Sequence, residues 1–178
     1  MHKTGGWVIR KFDRAADAAA VRQLDTSYTT EAVYQVTADG GSVRLGSAPT
    51  PARQGRFAID LDLPPWDRGF VAVEDRVVRG FVATRLEAWN RRLAIWHFYV
   101  DRHHRGRGIG RELLEQALAD GRGSGALVAW VETGSDNAPG IEAYRRLGFS
   151  ICGFDQTLYG GTASASQFAI FLARPLTA

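Results

Sequence analysis

The stretch Leu93-Ala94-Ile95-Trp96-His97-Phe98-Tyr99-Val100-Asp101-Arg102-His103-His104-Arg105-Gly106-Arg107-Gly108-Ile109-Gly110 runs from an apolar segment into a glycine-rich turn, and its reading decides the fold. Leu93 to Val100 is apolar at nearly every position, the pattern of a strand interior to a sheet. After the turn, Ile109, Leu113, Leu114, Ala117 and Leu118 recur at i, i+4, i+5, i+8 and i+9, one face of a helix that Gly121 and Gly123 end. A glycine turn opening a helix leaves backbone N–H groups pointing outward. It lets an anion approach with no Cβ in the way and sets it at the positive end of the helix dipole. The segment is therefore a candidate diphosphate cradle. A Walker loop would need Gly-Lys-Ser/Thr where this chain has Gly110-Arg111-Glu112. The glycines also fall as G-x-G-x-G, not as the G-x-G-x-x-G of a dinucleotide fingerprint.

Working outward, Leu127 to Val131 reads as the next strand, and a short helix is expected from Ala138 to Leu147, stopped by Gly148. Phe168 to Leu172 reads as a last strand. Upstream, Phe70 to Glu74 and Val77 to Leu86 form a hairpin signal around Glu74-Asp75-Arg76. Trp7 to Phe12 reads as a first strand, followed by a helix from Asp13 or Arg14 through Leu24. A second short helix is expected within Asp25 to Val36. Ala38 to Gly55, rich in Gly, Ser, Pro and Thr, reads as an exposed loop, a flap or a substrate-facing insertion. Strands flanking a strand–helix–strand–helix centre describe a mixed sheet with helices on its faces, an α+β layered domain spanning residues 1–178 as a single unit.

The composition sets bounds on function. With 178 residues, 45% hydrophobic and 23% charged, the chain is an ordinary globular protein. The formal charge of +3 is too mild to imply nucleic acid. Its distribution says more: Arg102, Arg105, Arg107 and Arg111, with His103 and His104, crowd the predicted phosphate turn. Cys152 is the only cysteine, so no intrachain disulfide forms, and a reducing, cytoplasmic setting is expected. The segment Met1 to Trp7 has no apolar stretch of a secretory leader, and no apolar run is long enough for a membrane span. No spaced His/Cys/Asp/Glu set suggests a metal.

Arg105, Gly108 and Gly110 fill the fixed positions of (Q/R)-x-x-G-x-(G/A). About 30 residues on comes Asn137-Ala138-Pro139-Gly140-Ile141-Glu142-Ala143-Tyr144-Arg145-Arg146-Leu147-Gly148-Phe149. On these two blocks the chain resembles the GNAT superfamily of N-acetyltransferases over about residues 69–172. The resemblance implies a mostly antiparallel central sheet flanked by helices and acetyl-CoA as co-substrate. It places the pyrophosphate on backbone amides near Ile109 and Gly110, with Arg105, Gly106, Arg107, Gly108 and Arg111 around it. The pantetheine would run along Phe98, Tyr99 and Val100. Asn137 would hold the pantetheine or simply cap a helix. Tyr144 would give a proton to the departing thiolate, a role that suits a phenol with an ordinary pKa of about 10. The acceptor ammonium must lose a proton before it attacks, and Glu132 and His97 are both candidate bases.

Shorter matches resemble the streptothricin acetyltransferase branch: Thr26-Ser27-Tyr28-Thr29-Thr30, Trp89-Asn90, Glu132-Thr133, and Asp155 to Tyr159. That branch acetylates an amine of a cationic antibiotic and confers resistance, and Glu31, Asp60, Asp62 and Asp67 are acidic residues that suit a cation. The branch usually carries Ile-Glu-Asp-Ile in the central strand. This chain has Ile95-Trp96-His97-Phe98, an aromatic surface suited to cation–π attraction in place of two carboxylates. Acetylation of a protein or peptide amine, or acyl-CoA binding without turnover, are the rival readings. A homodimer, with Gln156 to Phe168 at its interface, is expected by analogy.

Overall fold

The computed structural model describes residues 6–62 and 66–176; the reading of residues 1–5 as no secretory leader lies outside them. The chain divides into two compact units, one from residues 1–26, 57–131 and 175–178, the other from residues 27–56 and 132–174.

In the first unit, strand order is β1 (Trp7–Lys11), β4 (Arg68–Glu74), β5 (Val77–Glu87), β6 (Arg92–Val100) and β7 (Val128–Gly134), whose last three residues belong to the second unit. Neighbours are antiparallel except β6 and β7, which pair in parallel over Arg92–Ile95 and Val128–Val131. The β4–β5 hairpin turns at Asp75 and Arg76, both at positive φ. Helix α2 (Ile109–Gly123) lays Ile109, Leu113, Leu114, Ala117 and Leu118 on β4, β5 and β6, burying all five. Each such large aliphatic side chain contributes about 1.5–3 kcal/mol of apolar transfer. Gly121 permits the close approach, since a Cβ there would stand 2.5 Å from Leu93 Cδ2. Helix α1 (Arg14–Arg22) packs on β5, and a core of Val21, Leu24, Leu61, Val71, Val78, Phe81 and Ala83 fills that side.

Asp13 caps α1 by accepting from the N–H groups of Ala15 and Ala16. One turn in, the buried Asp17 receives Arg10 through two hydrogen bonds of 2.7 and 2.6 Å and the Asp13 N–H at 2.8 Å. The Arg10 bonds hold its carboxyl below the usual range, against the opposing effect of burial. A depressed carboxylate stabilises the fold above its unfolded pKa, and that contribution is lost as pH falls through the folded value. Asp17→Asn is therefore expected to cost about 1–3 kcal/mol at pH 7, a figure kept modest because Arg10 is half-exposed. Urea unfolding should show the gap from wild type closing as pH drops below about 4.

In the second unit, β2 (Tyr28–Asp39) and β3 (Ser42–Gly55) form a long two-stranded antiparallel sheet, and α3 (Ala138–Arg146) packs on β2. Strand β9 (Ala169–Pro175) lies between β7 and β8 (Ser150–Asp155), antiparallel to β8. Two expectations are corrected here. The segment from Asp25 to Val36 holds no helix; from Tyr28 it is strand, with β-branched and aromatic residues recurring through Thr29, Thr30, Val33, Tyr34 and Val36. The segment from Ala38 to Gly55 is not a loop; only Gly40 and Gly41 turn, at φ 53° and 90°, the conformation a two-residue hairpin loop demands. The polar composition that suggested a loop belongs to strands that are largely exposed. The expected last strand runs from Ala169 to Pro175, and β8 is an addition. Among the described residues, no helix is long and apolar enough to cross a membrane.

Candidate active site

The register between β5 and β6 skips Trp96: Ala83 faces His97 and Thr84 faces Ile95. Trp96 is thus the extra residue of a bulge, which bends and over-twists β6 just after the stretch paired with β7. Beyond it, Phe98, Tyr99 and Val100 pair with Val82, Phe81 and Gly80. His97 is buried among Trp66, Phe81 and Tyr99, with ring centroids at 6.3, 5.9 and 5.9 Å.

The turn after β6 is tied down at several points. Asp101 caps the short 3-10 turn Arg102–His104, accepting from His103 N–H at 3.1 Å and lying 3.0 Å from His104 Nδ1. Burial pushes the Asp101 carboxyl up. The bonds from His104 and from the Asp25 and His103 backbones outweigh it, and the net shift is downward. Arg105 donates to the carbonyls of Val100 (3.0 Å) and Asp25 (3.2 Å), lashing the turn to the end of β6 and to the chain after α1. Arg107 makes a two-pronged contact with Glu74 (3.2 and 2.6 Å) and lies over the Trp7 ring at 5.5 Å. Trp7 in turn donates to Glu112 in the first turn of α2. The arginine side chains that the motif brings to this turn thus fasten it in place.

The backbone is left to meet an anion. Gly106 and Gly108 stand at φ 76° and 98°, a region side chains rarely allow, and a Cβ on Gly106 would face open space. Gly108 leads directly into α2, which has no side-chain cap on its first N–H groups. Gly110 lets that turn press against β6, where a Cβ would meet Val100 Cγ2 at 3.3 Å. Arg111 lies on the exposed side of the helix start. Two positive-φ glycines, an uncapped helix start and an open approach are what a pyrophosphate requires, so the residues fit acetyl-CoA.

In the second unit, Asn137 caps α3: its Oδ1 accepts from Gly140 N–H at 3.1 Å and its Nδ2 donates to Thr133 Oγ1 at 2.9 Å. Tyr144, on α3, is 9% exposed and packs edge-to-face on Phe149 at 5.5 Å. Glu132, on β7, accepts a hydrogen bond from the Tyr159 hydroxyl. Burial raises the Glu132 carboxyl's pKa, and the Tyr159 bond only partly offsets it. Asp136 behaves alike: burial raises it, and the Tyr28 hydroxyl bonds to it. Burial and that carboxylate push Tyr28 up to about 12. Nearby, Tyr34 donates to Glu142 at 2.9 Å, beside a surface cavity of about 520 Å³ lined by Thr29, Thr30, Glu31 and Pro139 among others. The sequence reading passed over Tyr159 as a functional residue, and Asp136 altogether. A tyrosine inside a Gly/Ser/Thr-rich tract was the one available signal. No group of three or more His, Cys, Asp or Glu able to hold a metal occurs among the described residues.

Comparison with known proteins gives the family. The Acetyltransferase (GNAT) family pattern matches residues 31–149. The streptothricin acetyltransferase of Streptomyces lavendulae is 40% identical over 177 residues, covering 91% of this chain and 92% of that protein. The crystal structure of a nourseothricin acetyltransferase superposes with a TM-score of 0.88 at 39% identity, covering 97% of this chain and all of that one. A Bacillus anthracis str. Ames protein, provisionally assigned as a streptothricin acetyltransferase and solved with acetyl coenzyme A, shares the fold. Its TM-score is 0.81 at 21% identity, over 95% of this chain and 99% of its own. The chain therefore belongs to the acetyltransferase (GNAT) family and is an acetyl-CoA-dependent N-acetyltransferase.

Proposed function

We propose that this enzyme acetylates an amine of a small, multiply cationic antibiotic of the streptothricin kind. The observation that carries the reading is the 40% identity to a streptothricin acetyltransferase across nearly the whole of both chains. Acetyl-CoA, when bound, supplies a thioester carbonyl carbon to the attacking nitrogen. The glycine turn and the start of α2 hold the pyrophosphate through backbone N–H groups, and Phe98, Tyr99 and Val100 guide the pantetheine. Asn137 fixes the start of α3, and through it the position of Tyr144. Glu132 takes a proton from the acceptor ammonium, freeing the lone pair; burial makes its carboxylate a stronger base than an exposed one. As the nitrogen–carbon bond forms and the carbon–sulfur bond breaks, the Tyr144 phenol protonates the departing sulfur, and the second proton that the nitrogen sheds on becoming an amide restores the phenol. Of the two candidate bases, Glu132 is preferred to His97, whose ring is part of the aromatic packing around Phe81.

Trp96, partly exposed at the bulge, is proposed to hold a positive group of the acceptor by cation–π attraction. Nucleic acid has no place in the reading, since Arg105 and Arg107 are engaged by Val100, Asp25 and Glu74. A cytoplasmic homodimer belongs to the same proposal; the lone Cys152 suits a reducing compartment.

A second reading has one observation in its favour. The [Ribosomal protein bS18]-alanine N-acetyltransferase of Salmonella typhimurium is 31% identical over 83 residues, 47% of this chain and 55% of that protein. Comparing kcat/KM for streptothricin, aminoglycosides, polyamines and short peptides separates the two. Streptothricin is expected to exceed any peptide by at least about a hundredfold; a peptide preference overturns the antibiotic reading.

A further inference from the structure

We infer that Tyr159 is the positioning residue of the general base: its hydroxyl, donated to Glu132, fixes the carboxylate's orientation and sets the pH at which the enzyme works. This rests on the proposal that Glu132 is the base.

The local chain is built to present that hydroxyl. Asp155, at the end of β8, accepts from the N–H groups of Thr157 (2.7 Å) and Leu158 (3.2 Å) and from the Thr157 hydroxyl (2.7 Å). That closes the chain into a tight turn directly before Tyr159. On the other side, the Tyr159 carbonyl accepts from the Thr162 N–H and hydroxyl, both at 2.9 Å. The tyrosine is thus held where two turns meet, and residues 160–166 after it are all Gly, Ser, Thr or Ala. A half-buried phenol with its hydroxyl on a half-buried carboxylate is a more specific arrangement than packing alone requires.

The groups around the pair come from several elements. Asp136 follows β7 and lies close enough to act electrostatically on Tyr159. Tyr28, from β2, bonds Asp136, and Arg53, from β3, tempers its charge. Gln167, just before β9, reaches Gly134, where a Cβ would meet its side-chain oxygen at 2.4 Å. Among these, Tyr159 is the group that bonds Glu132. Its phenol is driven above the ordinary tyrosine range by burial first and by the Glu132 bond second, so it remains a donor. A donor favours the ionised carboxylate, so removing it raises the pH at which Glu132 loses its proton.

The test is the pH profile of kcat/KM for Tyr159→Phe and Glu132→Gln against wild type, with melting temperatures confirming that both fold. The inference predicts that Tyr159→Phe moves the acidic limb to higher pH. Its deficit should be roughly tenfold greater on the acid side than on the alkaline plateau. A deficit equal at all pH values, with Glu132→Gln inactive throughout, overturns the inference and leaves Glu132 as base. An unchanged rate and limb in Glu132→Gln overturns the base assignment itself, and the inference with it. Should Tyr159→Phe fail to fold, Asp155→Ala, which releases the turn before Tyr159, is expected to move the limb the same way. An unmoved limb in that variant overturns the inference.

Discussion

Tyr144→Phe is expected to lower kcat by about 10²–10³-fold while acetyl-CoA affinity changes less than about threefold. Proton transfer to a leaving group by a placed side chain contributes on this scale. The variant keeps the ring that packs on Phe149 and removes only one oxygen, so the fold should lose no more than about 1 kcal/mol. The decisive comparison uses acetyl thioesters of thiols with different acidity. An acidic thiol departs without help, so the deficit should shrink steeply as the leaving group's pKa falls. A uniform deficit across donors, or a loss below about threefold with acetyl-CoA, removes Tyr144 from proton transfer and leaves it a packing residue.

The second large effect is expected at the glycine turn. Replacing both Gly106 and Gly108 by valine places β-branched side chains at φ values of 76° and 98°. The turn must then change shape, at about 1–2 kcal/mol per residue. The backbone N–H groups it offers to the pyrophosphate lose their alignment, and bonds to charged groups are each worth about 1.5–3 kcal/mol. Titration calorimetry should show acetyl-CoA binding weakened by about 30- to 300-fold, with KM for acetyl-CoA rising far more than kcat falls. Gly123 supplies the internal control. It lies at the end of α2 with no neighbour near its Cβ position and no positive φ. Gly123→Ala should leave acetyl-CoA binding unchanged and raise stability by up to about 1 kcal/mol.

The centre of the first unit was legible from the chain because its signals are redundant. Leu93 to Val100 is apolar at nearly every position, the helix after it repeats its apolar face, and the glycines between them mark a turn through positive φ. The helix Ala138–Arg146 was legible for a similar reason, with Asn137 as cap, Pro139 in its first turn and Gly148 at φ 88° as its stop. The hairpin over residues 28–55 was not. Strands in a two-stranded sheet with exposed faces lack the buried row that makes alternation visible, and Pro49 and Pro51 read as loop residues. Asp39-Gly40-Gly41-Ser42 carried the hairpin signal, but it was outweighed by composition. Strand β8 was hidden by its own irregularity, since the register with β9 skips Cys152 and Gly153 follows.

The site divided along the same line. The turn at Gly106 and Gly108 and the helix cap at Asn137 were readable because glycine and cap positions are fixed by local geometry. The sequence left Asn137 open between cofactor contact and helix cap, and the cap is now seen directly. The bulge at Trp96 and the Tyr159 bond to Glu132 depend on pairings between segments distant in the chain. No local pattern records such pairings.

The central claim is transfer of an acetyl group from acetyl-CoA to a small cationic amine. It is tested most directly by incubating the enzyme with acetyl-CoA and streptothricin, following free thiol, and weighing the recovered antibiotic by mass spectrometry. The account predicts thiol release that depends on the antibiotic, with one acetyl group gained for each thiol freed. Acetyl-CoA bound by the enzyme while the antibiotic returns unmodified and no thiol appears would contradict it.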